Sequence, residues 1–325
     1  MDVVDAAPSL PMNARIVENY DGGKIVLASG DVIDPAVFPT LAHRKGMDMI
    51  VTDGKTILGA DDKAGVAEIM TACEAILKDP SIPHGKICVS FTPDEEIGRG
   101  ADLFDVTGFG ADYAYTVDGG DVGGIEYETF NAASGRIVVN GVSIHPGSAK
   151  NRMKNAALIA MEFNALLPPA ETPAHTEGYE GFYHLTGMRG HAEQAELSYI
   201  IRDHAKEIFE ARKAAFARAA RYLNDKYGEG TIDCTVKDSY YNMREVLEFR
   251  MEIVDRARDA FRACGVEPHN EPVRGGTDGC RLSFMGLPCP NLSTGGMNFH
   301  GRLECVAVQD MEKMVQVLVA LVRGA

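Results

Sequence analysis

Residues 91–100, FTPDEEIGRG, place Asp94, Glu95 and Glu96 directly after an apolar run, and Asp118 closes a second apolar run at 113–118, YAYTVD. Carboxylates beside strongly apolar sequence are seldom buried without a partner. A solvated acidic turn would also account for these ten residues alone, so the neighbouring stretches decide the reading. Residues 86–91, KICVSF, read as a buried strand that runs into the acidic turn, and 113–117 as another strand ending at Asp118. Upstream, residues 59–65, GADDKAG, precede Val66, Ile69, Met70, Cys73, Ile76 and Leu77, which recur at helical spacing. Asp61 and Asp62 therefore fall between a strand end and a helix start. One of them can cap the first turn, and the other is left to point elsewhere. Residues 48–51 and 56–58 read as a hairpin around Asp53-Gly54.

Helices alternating with apolar strands indicate an α/β sheet with crossover connections, and such sheets place their sites at strand C-terminal ends. Asp61, Glu96 and Asp118 each follow an apolar strand on that side. Three carboxylates brought together repel one another unless a cation lies between them. Glu95 has the character of a general base beside a ligand, since one carboxylate cannot serve as both. His300, in the loop Asn298-Phe299-His300-Gly301, is a candidate metal ligand, and zinc sites mix histidine with carboxylate. The glycine-rich run at 274–279, RGGTDG, lacks a Walker lysine and any GxGxxG spacing, so it is not a phosphate loop.

After Gly119-Gly120 the pattern changes to strand, helix, strand, strand, helix, strand, with helices over 155–167 and 209–227. That order fits a two-layer, ferredoxin-like α+β insert at 131–245, between a first domain segment at 1–130 and a second at 246–325. His145 lies in a His-Pro-Gly turn of this insert. Arg202 stands at a strand end, placed either to hold a carboxylate or to pair with its neighbours. An apolar face over 311–322 marks a closing helix.

The chain has 325 residues, 45% of them hydrophobic and 24% charged, which is a folded composition. Its 32 basic against 47 acidic residues give a net charge of −15, which argues against nucleic acid and anionic membrane as partners. Cysteines at 73, 88, 234, 264, 280, 289 and 305 form no CxxC pair, as expected in a reducing, cytoplasmic compartment. No apolar run approaches the ~20 residues of a membrane span, and the opening MDVVDAAPSL does not read as a signal peptide.

The stretches LGADDKAG, FTPDEEIGRG, YTVDGGDVGGIEYETFNAASG, HPG, TEGYEGFYHL, YIIRD, DSYYNMRE, VRGGTDGCRLSFMGLPCPNLSTGG and NFHG resemble the tripeptide aminopeptidases of the M20 metallopeptidase family, across essentially the whole chain. The resemblance implies a mixed-sheet zinc-peptidase domain with two Zn2+. Asp61 would bridge the metals, Glu96 and Asp118 would hold one each, and His300 would complete the second set, with Glu95 as general base. It implies that the insert is a lid and homodimerisation domain whose His145 reaches the partner's site to stabilise an oxyanion. Arg202, Arg274 and Asn298 would face the substrate, a short peptide and chiefly a tripeptide. Asp2 matches the family's second-shell aspartate, but the ligand histidine of the same motif would precede residue 1, together with about 75 residues of the family's chain. The expectation is therefore lowered or absent activity for this chain, with a dipeptidase, an N-acyl amino-acid amidohydrolase or a non-catalytic fragment as the alternatives.

Overall fold

The computed structural model describes residues 4 and 7–323; Asp2 lies outside the described residues. The chain divides into two compact units. The first comprises residues up to 127, 243–271 and 277 onward, and the second comprises 128–242 with 272–276.

Among the described residues, the first unit holds two four-stranded sheets and a small two-stranded one. One larger sheet runs Arg15–Val17, Met49–Val51, Cys305–Ala307, Gly296–Met297, all antiparallel. The other runs His269–Asn270, Gly124–Glu126, Asn291–Leu292, Thr116–Val117 and is mixed: strand 291–292 lies parallel to 116–117 and antiparallel to 124–126. Helices Ala60–Lys78, Met251–Ala263 and Val308–Arg323 cover it. Their apolar stripes bury Ala72, Val254, Phe261, Met314 and Leu318 against Val117, Ile125 and Leu292. This is a mixed α/β architecture, as the alternation of elements indicates.

Two local expectations fail. Residues 86–91 form no strand: they have no ladder partner among the described residues, and Ile87, Val89 and Phe91 are 39%, 42% and 45% exposed. An apolar run is a strand only where a neighbouring strand takes its amides and carbonyls. The hairpin around Asp53-Gly54 is also absent. Met49–Val51 pairs instead with strands 15–17 and 305–307, a choice made by partners distant in sequence.

In the second unit the strands Asn131–Asn140, Phe182–Gly190, Gln194–Asp203 and Ile232–Tyr240 alternate with helices Ala156–Ala165 and Lys206–Tyr227. The sheet is antiparallel in the order 232–240, 131–140, 194–203, 182–190, the ferredoxin-like arrangement. Strand 194–203 alternates strictly, burying Ala195, Leu197, Tyr199 and Ile201. Phe163, Phe209 and Phe216 from the helices are fully buried against them. Gly135 matters here, because a Cβ at that position would stand 2.8 Å from the Phe216 ring. Phe216→Ala is expected to cost about 3–5 kcal/mol of unfolding free energy through the cavity it leaves. Gly135→Ala should cost about 1–3 kcal/mol by overpacking the same ring. Urea unfolding midpoints of the two variants measure this, and midpoints equal to wild type would contradict the packing described.

Candidate metal centre

Gly59 takes a left-handed conformation, φ 62°, that turns the chain from the apolar Ile57-Leu58 into helix 60–78. Asp61 and Asp62 sit in non-helical conformations in its first turn, and the peptide between them is cis. Asp62 Oδ1 accepts the Gly65 amide at 3.2 Å and so does the capping work. Asp61 is thereby left to face the cavity. A Cβ at Gly65 would overlap the Val117 carbonyl, so glycine there lets the helix start abut the strand end that carries Asp118.

Glu95–Ile97 form a single 3-10 turn between Asp94, φ 63°, and Gly98, φ 68°, both left-handed. His300, φ 60°, projects from the loop before strand 305–307. Its Nε2 lies 3.1 Å from Asp61 Oδ2 and 3.2 Å from Glu96 Oε2. Asp61, Glu96 and His300 each offer one ligand atom, and these atoms lie within 4.8 Å of one another. Glu95, Glu96, Asp61, Asp62 and Asp118 line one cavity of about 140 Å³.

The electrostatics of this cavity are strained. The surrounding protein withholds water from Asp62 and, with the Asp61 charge beside it, pushes its carboxyl up to about 8. Asp118 is raised well above the usual carboxylate range by the same burial, then by Asp62, Asp61 and Glu95. Protons are thus drawn in to relieve repulsion that a divalent cation would relieve more directly. The donor set, carboxylates with one imidazole, is the set zinc takes. On geometry and donor chemistry the residues fit a metal.

The other sequence candidates are placed as follows. The Asn298 amide donates to the Leu303 carbonyl at 3.1 Å, inside the His300 loop. In the second unit His145 is exposed, and its Nδ1 accepts the Gly147 amide at 3.2 Å. Arg202 lies over the Tyr240 ring at 5.4 Å and donates to the carbonyls of Ala133 and Ile201. Arg274 donates to Thr176 Oγ1 and to the carbonyls of Gly178 and Glu180, and lies over the Phe130 and Phe182 rings.

Sequence reasoning missed Glu304. It is 2% exposed, and its carboxylate accepts the amides of Gly59 at 2.5 Å and Asp61 at 2.9 Å, tying the Asp61 turn to the His300 loop. A single acid inside the apolar run Leu303-Glu304-Cys305-Val306 is the signal that could have found it.

Fold and site together define an α/β protein with a carboxylate–histidine cluster of the kind metallohydrolases use. The chain belongs to peptidase family M20/M25/M40, whose pattern matches residues 51–324. Peptidase T of Clostridium perfringens (strain ATCC 13124) is 54% identical over 323 residues, an alignment taking in 98% of this chain and 80% of that protein. The crystal structure of aminopeptidase PepT from Bacillus cereus ATCC 10987 superposes with a TM-score of 0.74 at 27% identity, covering 85% of this chain and 74% of that one. A tripeptidase from Staphylococcus aureus superposes at 0.76 with 21% identity over 99% and 82% of the two chains, a likeness of fold. The chain is thus an enzyme of the peptidase class.

Glu68, two turns along helix 60–78, carries a separate consequence. It is 1% exposed, and among the described residues neither carboxylate oxygen has a hydrogen-bond partner. Burial, then Asp62 and Asp310, pushes its carboxyl up to about 9. The fold therefore favours protonated Glu68: its contribution to stability is whole below the usual glutamate pKa and is lost progressively as pH rises from there to about 9. Glu68→Gln should unfold at higher urea than wild type at about pH 8, with the difference closing near about pH 4. Parallel midpoint shifts at both pH values would show that Glu68 is not buried as described.

Proposed function

We propose that the chain is a metal-dependent aminopeptidase that releases the N-terminal residue of short peptides, chiefly tripeptides. The observation that carries this reading is the convergence of Asp61, Glu96 and His300 on one point, in a cavity that Glu95 and Asp118 also line. Asp61, Glu96, Asp118 and His300 would hold two zinc ions, with Asp61 common to both. Ions bound there supply Lewis acidity, which makes a water acidic near neutral pH and polarises a carbonyl. Glu95 takes the proton of the attacking water and delivers it to the leaving amine. Glu304 fixes the backbone that presents Asp61, and Asp62 secures the first helical turn behind it.

The second unit would act as lid and homodimerisation domain. Leu158 and Met161, 63% and 59% exposed on one face of helix 156–165, support a covered surface there. His145 would stabilise the oxyanion in the partner's site, and its exposure leaves it accessible for that role. Arg202 and Asn298 would contact the peptide. Arg274 would contribute by holding the 176–180 loop that its hydrogen bonds already fasten. A cytoplasmic location accords with seven free cysteines and with the absence, among the described residues, of any helix long and apolar enough to cross a membrane.

Release of the first residue from tripeptides, set against dipeptides and N-acyl amino acids, tests the substrate class. A preference for either of the latter two would replace this reading by a dipeptidase or an amidohydrolase. Glu95→Gln should lower kcat on a tripeptide by about 10²–10⁴ while leaving the zinc content unchanged. A kcat within about twofold of wild type would remove Glu95 from the mechanism.

A further inference from the structure

The acidic turn that presents Glu95 and Glu96 has little packing of its own. Phe91, Ile97 and Leu103 around it are 45%, 66% and 97% exposed, and among the described residues the segment before it pairs with no strand. Side chains at the cavity must nevertheless keep their geometry if they are to serve as ligand and base.

The short helix Asp278–Phe284 supplies what the turn lacks. Asp278 is 4% exposed, and its Oδ2 accepts the Thr92 hydroxyl at 2.7 Å. The Gly100 backbone lies against the same carboxylate, so closely that a Cβ at Gly100 would overlap it. One turn further on, Arg281 donates to the Gly98 carbonyl at 2.8 Å and forms an ion pair with Asp102. Ala101, between these grips, is fully buried with Leu282, Leu287 and Cys289. The helix is itself anchored. Thr277 caps it, the Ser283 hydroxyl accepts the Cys289 amide at 3.0 Å, and a Cβ at Gly279 would stand 2.5 Å from the Cys289 carbonyl. From Cys289 the chain continues into strand 291–292, which pairs with 116–117, and the Asp118 amide donates to the Leu292 carbonyl at 3.0 Å. One element therefore fastens both ends of the Glu95–Glu96 turn and adjoins the strand that ends at Asp118.

We propose that Asp278 and Arg281 are positioning residues for the metal centre, a clamp that holds the Glu95–Glu96 turn in register with Asp118 by gripping Thr92 and Gly100 on one side and Gly98 and Asp102 on the other. The glycine-rich run 274–279 acquires a role by this route: its Thr277 starts the helix and its Asp278 makes the first grip. The proposal rests on the reading of Glu95 and Glu96 as base and ligand.

Thr92→Val removes the hydroxyl and keeps the side-chain volume, Thr92→Ser restores the hydroxyl, and Arg281→Gln removes the second grip. The full chain and each variant are to be titrated with zinc against a chromogenic chelator. Cobalt-substituted forms give an absorption spectrum, and tripeptide turnover gives kcat and KM, with thermal midpoints in parallel. Thr92→Val and Arg281→Gln should each weaken zinc binding by about tenfold or more and alter the cobalt spectrum. kcat should fall by a similar factor, with KM within about threefold of wild type, and Thr92→Ser should return each value to within about twofold. Zinc affinity and cobalt spectra unchanged in both Thr92→Val and Arg281→Gln, while Glu96→Gln loses zinc, would overturn the clamp alone. Unchanged zinc binding in Glu96→Gln would overturn the reading of the site, and the clamp with it.

Discussion

Carboxylates held a few ångströms apart, with protein rather than water around them, repel one another strongly. The first unit nonetheless brings Asp61, Asp62, Glu95, Glu96 and Asp118 to the wall of one cavity. Burial and mutual charge raise Asp62 and Asp118 together. A chain that gained nothing from this arrangement would do better with the acids turned to solvent. A cation between them converts the repulsion into ligation, and the imidazole of His300 at hydrogen-bonding distance from Asp61 and Glu96 completes a mixed donor set. Much of the first unit can be understood as the apparatus that maintains this convergence.

That apparatus is largely backbone geometry and buried polar contact. Glycine at 59 and 65 lets the helix start turn sharply and press against the strand bearing Asp118. The turn at 94–98 is bounded by two left-handed residues and fastened from outside by the helix at 278–284. Glu304 joins the loop of His300 to the amides around Asp61. Three segments distant in sequence thus meet through side chains that bond to backbone. Ligands in metal sites are oriented in this way by contacts one step removed from the metal.

The sequence displayed the acids because they follow apolar runs, where a polar residue is conspicuous, and it offered His300 as a histidine in a loop. It displayed the ferredoxin-like order of the second unit because strand 194–203 alternates and helix 206–227 is long. Residues 86–91 looked like a strand for the same reason, apolar composition, yet whether a strand forms depends on a neighbour that no local pattern reveals. Residues 49–51 form their strand with partners more than 250 residues away on one side, so the nearby Asp53-Gly54 was a misleading hairpin signal. Asp278 was illegible because its role is a contact across the fold, and Glu304 showed in the sequence only as a single acid inside an apolar run, with no sign of the amides it bonds. Asn298 and Arg274 drew attention through the family resemblance, and in the structure both bond within loops.

The claim on which the account stands is that the carboxylates and His300 converge in order to bind metal. Zinc per chain, measured by elemental analysis after equilibration with low-micromolar zinc at neutral pH, tests it most directly. The account predicts at least about one zinc per wild-type chain and its loss in the paired variant Asp61→Asn with Glu96→Gln. Wild-type protein that is folded and yet retains no zinc, or a paired variant that retains as much as wild type, would contradict it.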